Sequence, residues 1–153
     1  MAMSTSGTLI TPKVLDALYT EAMVLADEAR SYFESGRFHE QCSGDPEVSV
    51  AFSCESLKVT TRLMHCIAWL LNQRALHGDE LTEGEVWNHD RALGYAASTD
   101  VEMARLFPEE ARQIVMASEE LFFRLQRLSS KMESIADPEP EVHNLFRRLQ
   151  TSF

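Results

Sequence analysis

The stretch that decides the fold is residues 55–75, E-S-L-K-V-T-T-R-L-M-H-C-I-A-W-L-L-N-Q-R-A, which contain neither glycine nor proline. Apolar residues recur in it at spacings of three and four, the period of an α-helix. One such stripe is expected to face the protein core and consists of Leu57, Thr61, Met64, Ala68, Leu71 and Ala75. The stretch therefore predicts the central helix of an all-helical bundle.

Two further stripes lie about 100° to either side of the first on the same helix. The second is also mainly apolar and is predicted to be a homodimer interface if it is exposed in the monomer: Thr60, Leu63, Ile67 and Leu70. The third is polar and is predicted to be a protein-docking face: Lys58, Arg62, His65, Trp69 and Gln73. Trp and Arg are the residue types most enriched at interface hot spots. The alternative for this third stripe is a solvated face with Trp69 packed on a neighbouring helix.

Start and stop signals predict the bounds of three long helices. The first helix is predicted to begin at Thr11-Pro12, which supplies an N-cap residue and a proline at the first helical position. It is predicted to end at Gly36, because glycine commonly follows the last residue of a helix. Asp45-Pro46 and Gly78 delimit the second, which contains the stretch above. Pro108 precedes the third, and Asp137-Pro138 ends it. The predicted core residues of the first and third helices are Leu15, Leu18, Ala22, Leu25, Ala29, Phe33, Ile114, Ser118, Leu121, Leu125, Leu128, Met132 and Ile135.

The connection between the second and third long helices has weaker signals. Thr82 and Glu85 form a capping-box pattern, which predicts a short helix at about 83–92, and residues 94–100 are expected to be coil. The predicted fold is all-α, a three-helix bundle with a short extra helix in this connection. The bundle domain spans 1–137, and 138–153 is predicted to be a flexible C-terminal tail. The tail is expected to dock onto a partner through one apolar stripe, Val142, Leu145, Phe146 and Leu149.

Charge and cysteine usage restrict the classes of partner. The formal net charge is −10, from 24 Asp and Glu against 14 Lys and Arg, which argues against binding nucleic acid or an anionic membrane. No secretory signal or transmembrane stretch is recognisable in the sequence. Cys54 and Cys66 lie about 18 Å apart along one predicted helix and cannot form a disulfide. We therefore expect a cytoplasmic protein with reduced thiols.

The sequence contains no catalytic or metal-binding motif. The His39-x-x-Cys42 and His65-Cys66 groupings lack the two spaced pairs of a zinc site, so we expect no metal and no cofactor. Cys66 is expected to be buried and inert, and Cys54 to continue the core stripe. The hydroxyls of Thr60 and Thr61 are expected to bond back to helix carbonyls.

The residues Glu55 to Met64, followed by Trp69-Leu70-Leu71 and Gln73-Arg74-Ala75, resemble the RcdA family of alphaproteobacteria. The resemblance implies a three-helix bundle that forms homodimers and has no enzymatic activity. It also implies an adaptor that helps to deliver cell-cycle regulators to the ClpXP protease, together with a response-regulator-like adaptor and a cyclic-dinucleotide-binding partner. Two alternatives from other classes are a structural dimerisation module and a small helical enzyme or ligand sensor. The enzyme would have a pocket between the second and third long helices and use His65 or Cys66.

Overall fold

The computed structural model of the chain describes residues 11–42, 44–77, 93–136 and 148–152. These ranges contain helices and no strand. Three helices are long, and two short ones lie in the connections between them. In chain order they are α1 (Pro12–Ser35), α2 (Arg37–Gln41), α3 (Pro46–His77), α4 (Val101–Ala104) and α5 (Glu109–Ala136). The predicted all-α class is confirmed, and so are the three long helices.

The ends of α1 follow from local chemistry. Thr11 Oγ1 accepts a hydrogen bond from the Val14 amide at 3.2 Å, and Pro12 occupies the first turn, where its missing N–H costs nothing. Gly36 ends the helix with a φ of 75°, a left-handed conformation that favours glycine. The chain turns there directly into α2.

The three long helices share one hydrophobic core. α3 packs against both α1 and α5, and α1 also packs against α5. The predicted core residues of α1 are buried except Phe33, which is partly buried next to Tyr32. On α5, Ile114, Ser118, Leu121 and Leu125 are buried, as predicted, and Leu128 and Met132 are partly buried.

One end of the bundle is closed by aromatic rings from four segments. Phe38 of α2 stacks on Phe52 of α3 with ring centroids 3.7 Å apart, and Phe107 meets both rings edge-on at 5.7 Å. Tyr32 of α1 packs edge-on against Phe52 at 6.2 Å. Such rings bury large apolar areas, so this cluster fixes α2 and the start of α5 against the long helices.

The connection before α5 agrees with the prediction only in part. Residues 93–100 form no helix or strand, as expected for 94–100, and α4 follows with Asp100 as its N-cap. The short helix predicted at about 83–92 and the start of the predicted tail at 138 lie outside the described residues.

Candidate functional site

The polar stripe of α3 faces the protein interior. Arg62, Trp69 and Gln73 are only 1%, 2% and 4% exposed, and Lys58 and His65 are half-buried. The expected exposure of this docking face is therefore wrong for these three buried residues. Side chains this deeply buried cannot contact a partner while the bundle is folded, so of this stripe only Lys58 and His65 keep any accessible surface.

Arg62 is buried because other protein groups replace the water that its guanidinium would otherwise bind. Its Nη1 donates to Ser118 Oγ at 3.1 Å, and its Nη2 donates to the Ala97 carbonyl at 2.9 Å and to Thr99 Oγ1 at 2.8 Å. The Glu119 carboxylate lies 3.6 Å from Nη2. Burial lowers the pKa of Arg62, whereas Glu119 and Glu55 raise it, and arginine stays charged at any physiological pH.

Two carboxylates complete this network and hold the segment 93–100 against α3 and α5. Glu119 Oε2 accepts a hydrogen bond from the Thr99 amide at 2.9 Å. Glu55 Oε2 accepts from the Asp100 amide at 3.1 Å and from Lys58 Nζ at 2.8 Å. The charged side chains on the inner side of α3 therefore position a coil segment, whereas the second oxygen of Glu55, Oε1, is buried and has no hydrogen-bond partner among the described residues.

His65 supports the same segment by packing. A Cβ atom added to Gly94 would lie 2.8 Å from the His65 ring, so glycine is what allows the backbone to approach this closely. His65 Nδ1 is buried and has no hydrogen-bond partner among the described residues. The His65 ring and the backbone at Gly94 therefore interact by close packing.

The outer side of α3 is apolar. The stripe predicted to lie in the core is turned outward: Leu57 is 70% exposed, Met64 63% and Leu71 46%, and Ala68 is exposed as well. The core prediction for this stripe is wrong. Cys54, expected to continue it into the core, is exposed too. We call this surface the outer face of α3, defined by its exposed residues Val50, Ser53, Cys54, Leu57, Thr60, Met64, Ala68 and Leu71.

No residue of the outer face carries a charge, although a quarter of the residues in the chain do. The solvent-facing sides of the neighbouring helices are different, because Asp27 and Arg30 on α1 and Arg112 and Glu120 on α5 are exposed. Exposed apolar surface without charge is characteristic of interaction sites on folded proteins.

The stripe predicted to be a dimer interface is split by the fold. Leu63 and Leu70 lie in the core, whereas Thr60 is exposed and Ile67 half-buried. The predicted interface is therefore wrong for the two leucines, which are already covered by the bundle. The hydroxyls of Thr60 and Thr61 donate to the Ser56 and Leu57 carbonyls at 2.9 Å, as predicted.

A groove adjoins the outer face where α1 meets α3. Its volume is about 380 Å³. The α3 wall includes Thr60, Met64 and Ile67, and the α1 wall includes Ala26 and Phe33. Arg30 and Glu34 lie at the rim and form an ion pair with each other at 3.1 Å. The groove extends the apolar surface of α3 sideways and lies between α1 and α3, away from the predicted enzyme pocket between α3 and α5.

The cysteines differ in their chemistry. Cys66 is completely buried, and burial raises the pKa of its thiol to about 12. The thiolate is the nucleophilic form, so Cys66 is inert at neutral pH, as predicted. Among the described residues no group of three or more His, Cys, Asp or Glu side chains is arranged to hold a metal ion.

The orientation of α3 was missed because its signals conflict. The helix has apolar residues on nearly every side, so its hydrophobic periodicity selects no single inner face. What turns Arg62 and Glu55 inward is a set of partners at Ala97, Thr99, Asp100 and Ser118, far away in sequence. The one available signal was the composition of the outer stripe. Its small residues Thr61, Ala68 and Ala75 contribute little apolar area to a core.

The remaining predicted site residues belong to the tail. Leu149 lies in a helical segment, 148–152, and is 54% exposed. Val142, Leu145 and Phe146 lie outside the described residues. None of the described helices is long and apolar enough to cross a membrane.

Comparison with known proteins identifies the family of the chain and a solved structure with a similar fold. The family described as protein of unknown function (DUF1465) matches residues 6–153. Among solved structures, RcdA from Caulobacter crescentus CB15 is similar with a TM-score of 0.63 and 23% sequence identity, covering 82% of this chain and 96% of that chain. No curated protein matches the chain significantly. The resemblance expected from residues 55–75 is thus confirmed at the level of fold, and the chain belongs to the DUF1465 family, with the fold of RcdA.

Proposed function

We propose that this protein is a non-enzymatic, cytoplasmic, homodimeric adaptor in regulated proteolysis, helping to deliver cell-cycle regulators to the ClpXP protease. The observation that carries the proposal is the outer face of α3, an uncharged apolar surface presented by the central helix of a firmly held bundle. The RcdA fold supports the specific adaptor role. An adaptor needs a surface of this kind, because it acts only by holding other proteins.

The chemistry of the interior favours an adaptor over the enzyme alternative. A catalytic site needs a pocket with convergent, accessible polar groups. Arg62 and Glu119 instead form hydrogen bonds with the segment 93–100, and one carboxylate oxygen of Glu55 accepts a hydrogen bond from the same segment. Cys66 keeps its proton because burial raises the pKa of its thiol to about 12.

We further propose that the tail, 138–153, contributes to partner binding through Val142, Leu145, Phe146 and Leu149. Leu149 is exposed in the described part of this segment, which leaves its apolar side chain available to a partner. Removing residues 138–153 is expected to weaken the recruitment of partners while the bundle stays folded.

The adaptor role is tested by affinity capture from a lysate of an alphaproteobacterium, followed by mass spectrometry. The variant Met64→Lys places a charge on the outer face, and Met116→Lys places the same charge on α5, where Met116 is equally exposed at 67%. We expect the wild type and Met116→Lys to retain the protease or a protease-associated adaptor, and Met64→Lys to lose it. Capture of no protease component by the wild type would contradict the proposal.

A further inference from the structure

The groove between α1 and α3 has the length of two helical turns. Its α1 wall extends from Ala26 to Glu34 and its α3 wall from Val59 to Ile67, a rise of eight residues or about 12 Å on each helix. Val59 and Leu63 are buried and form its floor. A groove between two packed helices is the shape into which the side chains of a third helix fit. The groove therefore has the dimensions for two turns of a partner helix.

The interior of the groove has few polar groups with which to bind a polar small molecule. Among the described residues that line it, Thr60 is the one uncharged polar residue, and its hydroxyl already donates to the Ser56 carbonyl at 2.9 Å. Arg30 and Glu34 lie at the rim. Sites for small molecules hold their ligands by several convergent polar groups. The groove is thus better suited to the apolar side chains of a polypeptide.

The charge of the rim lies along α1 and is negative in excess. Arg30 Nη2 binds Asp27 Oδ1 at 2.6 Å, and Arg30 Nη1 binds Glu34 Oε2 at 3.1 Å. Because two carboxylates share one guanidinium, this edge keeps a net negative charge, and all three side chains are exposed to solvent. The opposite edge is the outer face of α3, whose exposed residues are uncharged. A partner helix is therefore bound best if it has a basic residue on the flank that meets α1.

We propose that the groove between α1 and α3 binds an amphipathic helix of another protein, with lysine or arginine on the flank that meets Asp27 and Glu34. Its apolar side chains recur at i, i+3 or i+4 and i+7, the spacing at which helices place anchors in grooves. Two turns of helix are enough to carry these anchors. The inference rests on the adaptor role of the proposed function, of which it names the class of partner. Only Thr60 and Met64 of the groove also belong to the outer face of α3.

Two synthetic peptides test the chemistry of this partner against the full-length chain. The first is a fluorescently labelled, alanine-based helix with leucines at i, i+3 and i+7 and lysines on the flanks. The second carries glutamate at every lysine position. Fluorescence anisotropy measures the affinity of each. We expect the lysine peptide to bind more tightly by roughly tenfold or more at low ionic strength, and the difference to shrink as salt is added.

Two pairs of variants show whether the lysine peptide binds in the groove. Ala26→Trp fills the groove from its α1 wall without changing the charge, and Ala17→Trp places the same side chain at an exposed position of α1. Glu34→Lys reverses one charge of the rim. Glu28→Lys makes the same change of net charge at an exposed position about 200° around α1 from Ala26. We expect Ala26→Trp to lose binding, Glu34→Lys to weaken it roughly fivefold, and both controls to bind nearly as the wild type does.

Equal weakening by Glu34→Lys and Glu28→Lys would show a general attraction to an acidic protein and overturn the inference, even if Ala26→Trp failed to fold. Equal affinity for the two peptides would overturn the basic partner. Groove residues whose NMR signals shift when the protein alone is concentrated would make a second copy the occupant, which also overturns it. If neither peptide binds while the affinity capture above retains a protease component, this inference fails and the adaptor role stands.

Discussion

Arg62 is held in the core by groups from two segments, the coil 93–100 and α5, and its substitution tests how much this network stabilises the fold. Arg62→Met keeps the apolar stem and removes the hydrogen bonds to Ala97, Thr99 and Ser118. Because these groups and Glu119 then lose their partner in or near the core, we expect the free energy of unfolding to fall by roughly 3 kcal/mol. Urea denaturation of both proteins measures this difference.

The matched control is Arg30→Met on α1. Arg30 pairs with Asp27 and Glu34 on the surface of its own helix, where solvent screens both pairs. We expect little change in its denaturation midpoint. Equal effects of the two substitutions would show that the Arg62 network is no stronger than a surface ion pair.

The alkaline stability of the protein is expected to depend on Cys66. The pKa of its thiol is raised by burial from 9.0 to about 12 in the folded chain. The unfolded chain therefore loses this proton at lower pH than the folded chain, so the stability contributed by the buried thiol is complete below pH 9 and is lost progressively from pH 9 to 12. Denaturation midpoints between pH 8 and 10.5 should decline less steeply in Cys66→Ala than in the wild type.

Cys54→Ala serves as the control because Cys54 is exposed on the same helix. Its midpoints should follow the wild-type decline with pH. An unchanged slope in Cys66→Ala would mean that the alkaline decline comes from other groups.

At the level of the helices and their connections, the segment 93–100 is ordered by side chains. Its Thr99 amide donates to Glu119 Oε2, and its Asp100 amide donates to Glu55 Oε2. Glu119→Ala removes the first acceptor while leaving the second in place. We expect the Thr99 amide to exchange with deuterium much faster in this variant, whereas the amides in the middle of α5 keep their protection. Hydrogen exchange measured by NMR separates these sites.

A Thr99 amide that exchanges quickly in the wild-type protein would contradict this role of Glu119. So would Glu119→Ala if it left the exchange of Thr99 unchanged.

How much the sequence predicts differs between the elements. The bounds of α1 and α3 and the core of α1 follow from caps, prolines and hydrophobic period, since these signals are local. The inner and outer sides of α3 could not be assigned in the same way. Arg62 is polar by type but buried, because partners from a distant connection bind it, and Gln73 is polar by type but buried as well. Leu57 and Met64 are apolar by type but exposed.

The sequence therefore predicts which residues share a face of α3, but it does not predict which of these faces is exposed. Three residues of the predicted polar docking stripe and two of the four in the predicted dimer stripe are buried. The exposed outer face of α3 instead includes Leu57, Met64 and Leu71 from the stripe that was predicted to lie in the core. A sequence pattern places residues on a common helix face, and only tertiary packing decides which face the bundle covers.

For the whole molecule, the distribution of charge connects the fold to the proposed function. Acidic residues outnumber basic ones by ten over the chain, so two copies repel each other at long range. Contact between two copies through the outer face of α3 would add no repulsion between like charges, because the exposed residues of this face are uncharged. Association through the exposed sides of α1 or α5 would bring charged residues such as Asp27 and Arg112 into contact, which favours the outer face of α3 as the interface of the proposed homodimer.

Sedimentation equilibrium on the order of tens of micromolar tests most directly whether the outer face of α3 is an interface. The wild-type protein and Met116→Lys should sediment as dimers, and Met64→Lys as a folded monomer with an unchanged helical circular dichroism spectrum. A wild-type protein that remains a monomer at these concentrations, or a Met64→Lys variant that remains a dimer, would contradict this assignment.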